Sequence, residues 1–255
     1  MLANLRAAIF CVSWPGDYRW LKYMLRSVAR YVTGAIDVVV VLEEDDALPV
    51  EALAELPSAH VCRCQRYRGT DYGGRGGQQI EKYRAFSYTD ADRVVFVDSD
   101  TVFCRPTNLQ TDPAINLQRP LVLHVPWDEI QPVWFTRDNG ERFSGDPKMW
   151  RQPTEEVLGF ASPSATMVRP PFCFPGWFLR ELWEHVGGEA RLRGWQHPVE
   201  FDSMGTFAMV RHLDAFTVVH ANSPEAPAAC VRQFWGGQDP EGPEISKELE
   251  RLGLR

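Results

Sequence analysis

The sequence predicts an α/β fold with a mostly parallel central sheet. Residues 7–13 and 36–42 are two apolar runs, and residues 20–31 between them repeat apolar side chains at helical spacing. This strand–helix–strand order is the pattern of a parallel pair joined by a right-handed crossover. A third apolar run, residues 94–97, lies between charged residues, which is typical of a strand buried on both faces.

The first half of the chain contains most of the predicted elements. A turn at residues 14–17 separates the first strand from the helix, and Gly34 is a suitable stop for that helix. The uninterrupted valine run at residues 36–42 predicts a second buried strand. Further predicted elements are a weak helix at residues 51–56, a short strand beginning at Val61 and a helix at about residues 78–88.

The second half is less regular. Pro, Trp, Gly, Asp and Arg dominate residues 126–153, and this composition predicts a long functional loop or a small lobe over the site. The other predicted elements are strands at residues 121–125, 165–168 and 215–219 and helices at residues 177–186, 201–212 and 244–252.

The composition is that of an ordinary globular protein. The chain has 255 residues, of which 44% are hydrophobic, and a formal net charge of −7. The acidic balance disfavours a protein that coats nucleic acid, because such proteins are usually basic. No run approaches the roughly 18 apolar residues of a membrane span. The six cysteines lack zinc-finger spacing, so we expect reduced thiols and a cytoplasmic location.

The apolar run at residues 94–97 ends in Asp98-Ser99-Asp100, which we call the acidic motif. Ligands of open α/β sheets bind beyond the carboxyl ends of the strands, where both aspartates would lie. Two carboxylates at one strand end repel each other and lose solvation, and a divalent cation relieves both costs. Hard oxygen ligands suit Mg²⁺ or Mn²⁺, with phosphate completing the shell. The structural alternative is a solvated acidic turn.

The acidic motif also fits the nucleophile motif of haloacid-dehalogenase-type phosphatases, in which the first aspartate attacks phosphorus. That motif normally lies on the first strand of its fold, whereas a strand–helix–strand unit and another helix precede Asp98 here. The glycine-rich residues 73–77 lack the preceding strand and the later ribose-binding acid of a dinucleotide site. We therefore interpret them as a loop near a ligand.

A longer arrangement joins the acidic motif to the helix before it. Gln78 and Gln79 are followed by Lys82 and then by the strand that ends in Asp98. In this arrangement the chain resembles the GT-A-fold nucleotide-sugar glycosyltransferases, above all their small bacterial and viral families. The loop at residues 13–17 also suits the first strand–helix unit of that fold.

The resemblance implies a single GT-A-like, Rossmann-like domain over residues 1–255. Residues 1–105 would form the half that binds the nucleotide sugar, and residues 106–255 the acceptor side. The implied activity is transfer of a sugar from a nucleoside-diphosphate donor, commonly UDP-linked, with Mn²⁺ or Mg²⁺ as cofactor. The acceptor could be a glycan, a lipid-linked sugar, a protein or a hydroxylated nucleobase in DNA. A noncatalytic nucleotide-sugar-binding protein is a further alternative.

The resemblance also implies roles for individual residues. Asp98, Asp100 and His220, at the end of the late strand, would hold the metal ion. Glu200 or Asp202, at the start of a helix lining the acceptor site, would act as the acceptor base. The residues expected to bind the donor are Ser13, Trp14, Asp17, Gln79, Lys82, Asp98 and Ser99.

Overall fold

The framework of the protein is a central sheet with helices packed on both faces. The computed structural model describes residues 5–34, 36–65, 75–130, 133–136, 142–145, 147–192, 199–234 and 238–255. Within these residues the strands are β1 (Ala7–Val12), β2 (Val32–Thr33), β3 (Ile36–Glu43), β4 (His60–Cys64), β5 (Arg93–Phe96), β6 (Thr101–Phe103), β7 (Thr107–Asn108), β8 (Leu121–Pro126), β9 (Val133–Thr136), β10 (Arg142–Gly145), β11 (Ser164–Ala165), β12 (Phe172–Pro175), β13 (Thr217–His220) and β14 (Val231–Gln233).

The α-helices connect these strands. They are α1 (Tyr18–Tyr31), α2 (Val50–Leu53), α3 (Arg75–Tyr83), α4 (Arg151–Leu158), α5 (Gly176–His185), α6 (Gly188–Leu192), α7 (Glu200–Arg211) and α8 (Pro243–Arg251). Short 3₁₀ helices lie at Pro15–Asp17, Ala85–Ser87, Pro147–Trp150 and Leu213–Ala215.

Four parallel strands and one antiparallel strand form the central sheet, in the order β12-β5-β1-β3-β4. In the middle of the sheet, Ala7 of β1 pairs with Ile36 of β3 on one side and with Arg93 of β5 on the other. Every residue of β1 is buried, because helices cover both faces. The prediction of an α/β fold with a mostly parallel sheet is therefore confirmed.

Successive side chains of the sheet point into two separate hydrophobic cores. On one face Ile9 belongs to the same core as Met24 of α1. On the other face Phe10 shares a core with Phe178 of α5 and Phe207 of α7. Burial on both faces explains why β1, β3 and β5 lack the alternation of polar and apolar residues.

The neighbours of β5 differ in part from those of a strand in the middle of a purely parallel sheet. It is parallel to β1 but antiparallel to β12, in which Phe172 pairs with Phe96. The sequence did not predict β12, because the short run is bounded by Pro171 and Pro175 and proline interrupts a strand pattern. Its place at the edge of the sheet tolerates these prolines.

Of the four smaller sheets that the structure describes outside the central one, two contain segments of interest for the site. The late strand predicted at residues 215–219 is β13, which pairs in parallel with β8 in a three-stranded sheet that also contains β11. The second is a ribbon of β6 and β14, with Gln233 opposite Thr101. The sequence did not predict this ribbon, which joins a late segment of the chain to the residues that follow the acidic motif.

Other segments depart from the prediction in detail. Residues 126–153, expected to be irregular, contain the antiparallel pair β9 and β10 and the start of α4. The helix predicted at residues 78–88 begins earlier, at Arg75, and ends at Tyr83, where a 3₁₀ helix continues the chain. The glycine-rich residues 73 and 74 lie outside the described residues.

All six cysteines lie in described segments and are free thiols, as predicted. Among the helices that the structure describes, none combines the length and apolar content needed to cross a membrane.

The packing of α7 generates a first prediction. An added Cβ on Gly205 would lie 2.1 Å from Thr166 Oγ1 and 2.3 Å from Thr166 Cβ, so Gly205→Ala forces the segment after β11 away from the helix. We expect a loss of about 1–3 kcal/mol in the free energy of unfolding, measured by urea denaturation.

The matched control is Gly159→Ala. Gly159 has a φ of +74° and nothing within 4 Å of an added Cβ, so its substitution tests backbone conformation alone. It should lower the free energy of unfolding by about 1–2 kcal/mol. The loss in Gly205→Ala should be accompanied by faster proteolysis of the segment around Thr166. If this segment is cleaved no faster in Gly205→Ala than in the wild type, the packing argument is contradicted.

Candidate functional site

The turn after β5 forms the candidate site. Val97 continues the sheet by donating its N–H to a carbonyl of β1 at 3.1 Å. The carbonyl of Asp98 then accepts the N–H of Thr101 at 3.0 Å, and the chain turns into β6. This turn buries Ser99 and leaves Asp98 and Asp100 partly exposed. Both carboxylates therefore lie beyond the carboxyl end of β5.

A buried lysine links the acidic motif to α7. Lys82 of α3 has a side chain only 7% exposed, and its Nζ lies 2.7 Å from Asp98 Oδ1 and 2.8 Å from Glu200 Oε1. The ammonium also lies 4.7 Å from the centre of the Phe201 ring. Burial acts to lower the pKa of Lys82, but the charges of Asp98 and Glu200 outweigh it and raise the pKa above its ordinary value. Lys82 therefore stays charged and positions both carboxylates.

An amide contacts the acidic motif from the ribbon of β6 and β14. Gln233 donates from Nε2 to Asp98 Oδ2 at 3.2 Å and to Asp100 Oδ1 at 3.3 Å. Burial and, after it, the charge of Asp98 raise the pKa of Asp100 to about 8, although the amide hydrogen bond acts in the opposite direction. Asp100 thus lies beside negative charge that Lys82 offsets only in part, and a cation there would be stabilised.

The first turn of α7 places Glu200 and Asp202 in the interior, with 4% and 0% exposure. Asp202 Oδ1 accepts the backbone N–H groups of Thr166 at 2.5 Å and Met167 at 2.8 Å. Burial raises the pKa of Asp202 to about 6 despite these hydrogen bonds. Asp202 therefore fixes the segment after β11 against α7, whereas Glu200 contacts Lys82.

The loop after β1 supplies other predicted residues. Trp14 donates from Nε1 to Asp17 Oδ2 at 2.7 Å, and 43% of the tryptophan surface stays exposed. Its ring covers Gly16, where an added Cβ would come within 2.3 Å of the ring. Ser13 is buried, and its hydroxyl lacks a hydrogen-bond partner among the described residues. Gln79 is half-buried on α3.

His220 lies at the end of the late strand, as predicted, and contacts other side chains there. At the end of β13, its Nε2 lies 3.1 Å from Glu129 Oε2, and its ring lies 5.5 Å from that of His124, edge to face. The hydrogen bonds of His220 that the structure describes do not reach Asp98 or Asp100. Its role as a metal ligand stays a prediction, and the contact beside the two aspartates is made by Gln233.

Sequence reasoning did not find Gln233. It belongs to a strand of three residues after a segment rich in alanine and proline, so neither length nor periodicity marks it. Its contact with Asp98 also joins residues that are 135 positions apart. The described residues contain no group of three His, Cys, Asp or Glu side chains able to hold a metal, so a search for those ligand types alone overlooks this arrangement.

The fold is shared with known transferases. Neither the family models nor the curated proteins yield a match. Among solved structures, galactosyltransferase LgtC, in complex with donor and acceptor sugar analogues, is similar over 96% of this chain and 94% of its own, with a TM-score of 0.57 and 10% identity.

A 4-diphosphocytidyl-2C-methyl-D-erythritol synthase from Anaerococcus prevotii matches 98% of this chain and 97% of its own, with a TM-score of 0.52 and 11% identity. A second structure of such a synthase matches 98% of this chain and 99% of its own, with a TM-score of 0.51 and 13% identity. At these identities the comparisons show the fold alone, a single mixed α/β domain with a mostly parallel central sheet.

The burial of Asp202 generates a pH prediction. A group whose pKa is raised on folding, here from 3.8 to about 6, stabilises the fold fully below the lower value and loses that contribution as pH rises through the higher one. Between about pH 4 and pH 7 the wild type should therefore lose roughly 2 kcal/mol relative to Asp202→Asn, which keeps an acceptor for both backbone N–H groups.

Urea unfolding at both pH values measures this difference. The control is Asp214→Asn, at an exposed position in the 3₁₀ helix Leu213–Ala215, which should follow the wild type. Parallel pH profiles for the wild type and Asp202→Asn would rule out a raised pKa at Asp202.

Proposed function

We propose that this protein is a metal-dependent glycosyltransferase that moves a sugar from a nucleoside-diphosphate sugar to an acceptor hydroxyl. The main support is the convergence of Asp98, Asp100, Lys82 and Gln233 at the carboxyl end of β5. The shared fold with a galactosyltransferase adds to it. A UDP-linked sugar is the donor that we propose first, and a glycan, lipid-linked sugar, protein or hydroxylated nucleobase is the acceptor class.

The acidic motif suits a divalent cation, because it offers carboxylate oxygens as ligands at a strand end. The buried hydroxyls of Ser13 and Thr101, close to it in the fold, lack hydrogen-bond partners among the described residues. Asp98 and Asp100 would hold Mn²⁺ or Mg²⁺. When bound, the ion would neutralise negative charge on the departing diphosphate.

Lys82 acts in this proposal mainly as a positioning residue. Its ammonium is committed to Asp98 and Glu200 and is barely exposed, so it holds Asp98 Oδ1 and leaves Oδ2 directed toward Gln233. Its positive charge also lowers the repulsion that a diphosphate would meet beside three carboxylates.

The loop after β1 would bind the nucleotide. The exposed indole of Trp14 is held in one orientation by Asp17 and offers a flat apolar surface for a base. Ser13 and Asp17 lie in the same loop, and Gln79 precedes Lys82 on α3. We propose that these residues, with Ser99 of the acidic motif, form the donor site.

Of the two acids proposed as acceptor base, Glu200 is the one in contact with the Lys82–Asp98 pair. Asp202 has one oxygen engaged by two backbone N–H groups and is inaccessible. We therefore propose Glu200 as the base and Asp202 as the residue that positions the helix start. Loss of transfer in Glu200→Gln with donor binding retained would support this assignment.

The phosphatase alternative fits the order of the elements poorly. The phosphatase motif normally follows the first strand of its fold, whereas β1, α1, β3 and α3 precede the strand that ends at the acidic motif. A noncatalytic binding protein and a nucleotidyltransferase differ from a glycosyltransferase in the products that they release, and the experiment below separates them.

The first functional prediction concerns turnover. Purified protein should release UDP slowly from one UDP-sugar of a panel, only with Mn²⁺ or Mg²⁺, as measured by a UDP-detection assay. Asp98→Asn and Asp100→Asn should each lower this rate roughly 100-fold, because each removes a charge that stabilises the developing diphosphate. Asp214→Asn, at an exposed and distant position, serves as the matched control.

Other products would overturn the proposal. Phosphate released from simple esters would indicate a phosphatase. Pyrophosphate released from a nucleoside triphosphate and a sugar phosphate would indicate nucleotidyl transfer. Binding of nucleotide sugars without any turnover, in the presence of an acceptor panel, would indicate a binding protein.

The second functional prediction concerns the donor base. Trp14→Ala should raise the Kd for UDP about tenfold, since stacking of a base on an aromatic ring contributes about 1–3 kcal/mol. Isothermal titration calorimetry measures this change. Trp177→Ala removes an indole of similar exposure, 48%, from α5 beside His212 at the far end of α7, and should leave the Kd unchanged. Equal effects in both variants would exclude stacking on Trp14.

A further inference from the structure

Gln233 has no role in the sequence-based assignment, yet it contacts both aspartates of the acidic motif. We infer that Gln233 is the third protein ligand of the divalent cation, and that its amide turns over when the cation binds. The inference rests on the proposed function, which brings a cation to Asp98 and Asp100. It adds which residue is the third protein ligand and which hydrogen bonds hold Asp98 and Asp100 in place before the cation binds.

The first argument is the position of the amide. One nitrogen of Gln233 lies 3.2 Å from Asp98 Oδ2 and 3.3 Å from Asp100 Oδ1. An amide nitrogen carries two N–H donors and so satisfies one oxygen of each carboxylate. Without a cation, this arrangement partly offsets the repulsion between the two aspartates.

The second argument is the chemistry of the amide. Its terminal torsion has two similar minima, and a half turn exchanges the nitrogen for an oxygen of nearly the same size. An oxygen at that position would lie 3.2 and 3.3 Å from the two carboxylate oxygens. Oxygen ligands about 2.1 Å from Mg²⁺ and at right angles lie about 3.0 Å apart, so the spacing is close to the edge of an octahedron.

The third argument is the rigidity of the backbone that carries Gln233. In the ribbon, the next residue, Phe234, donates its N–H to the carbonyl of Asp100 at 2.8 Å. The Phe234 ring stacks on Trp20 of α1 with a centroid distance of 4.9 Å. The side chain can therefore turn at its amide while its attachment to the acidic motif stays fixed.

An unsatisfied hydroxyl provides independent support. Thr101 is paired directly with Gln233 across the ribbon, so the two side chains lie on the same face. Thr101 is fully buried, and its Oγ1 has no hydrogen-bond partner among the described residues. Because buried hydroxyls are nearly always hydrogen-bonded, this one indicates a missing group beside Gln233, such as a water held by the cation.

A neutral third ligand also fits the charge balance. With the cation bound and all three acids ionised, Asp98, Asp100 and Glu200 would carry three negative charges and Lys82 one positive charge, which leaves two for a divalent cation to balance. A carboxylate at position 233 would leave the loaded site negative and would repel a diphosphate. The amide therefore suits a site that binds the cation together with an anionic donor.

The experiment measures Mn²⁺ binding, by electron paramagnetic resonance of the free ion, rather than activity. Gln233→Leu, which has no oxygen, should weaken binding at least tenfold relative to the wild type. Gln152→Leu is the matched control, because it makes the same change at an exposed position on α4, and it should leave Mn²⁺ binding unchanged. Gln233→Glu should bind Mn²⁺ at least as tightly as the wild type but, with Mn²⁺ present, should bind UDP more weakly.

Thermal unfolding without metal checks that each variant is folded. If Gln233→Leu does not fold, Gln233→Glu provides the test through its weaker binding of UDP with Mn²⁺ present. Unchanged Mn²⁺ binding in Gln233→Leu, or equally weakened binding in Gln152→Leu, would overturn the inference. So would a wild type that binds no Mn²⁺. Mn²⁺-dependent release of UDP from a UDP-sugar, with unchanged Mn²⁺ binding in Gln233→Leu, would keep the glycosyltransferase proposal while excluding Gln233 as a metal ligand.

Discussion

A single buried ammonium group connects the parts of the candidate site. Lys82 joins α3 to the end of β5 through Asp98 and to the start of α7 through Glu200. Removing one partner from such an interior ion group leaves uncompensated charge and typically costs about 3–5 kcal/mol. The ion pairs of one side chain therefore link these three elements and help to orient Asp98.

The rest of the fold makes that contact geometrically possible. The central sheet directs Asp98 to its carboxyl edge, and aromatic packing brings α7 to the same place, since the rings of Phe96 and Phe201 lie 5.7 Å apart. Asp202 anchors the same turn of α7 to the backbone at Thr166. The two buried carboxylates of this turn thus have different partners, the backbone after β11 for Asp202 and the Lys82 ammonium for Glu200.

The sequence was sufficient to predict the framework of the fold and the place of the acidic motif. Apolar runs and helical spacing are local signals, and they identified β1, α1, β3 and β5 almost to the residue. Contacts between distant segments leave no such local signal. The pairing of β12 with β5, the β6–β14 ribbon and the contact of Gln233 with Asp98 all depend on packing of segments far apart in the chain. The described contacts of His220 are with Glu129 and His124, and its role as a metal ligand stays a prediction.

The long sequence separation of these contacts has a consequence for how the protein folds during its synthesis. Lys82 meets Glu200 118 residues later, and Asp98 meets Gln233 135 residues later. While the ribosome is still making the second half, the emerging first half carries Lys82 and Asp98 without Glu200 and Gln233. Closing such distant contacts costs chain entropy and is slow. The nascent chain thus passes through a period in which its four parallel strands are complete but two residues of the candidate site have not yet been made.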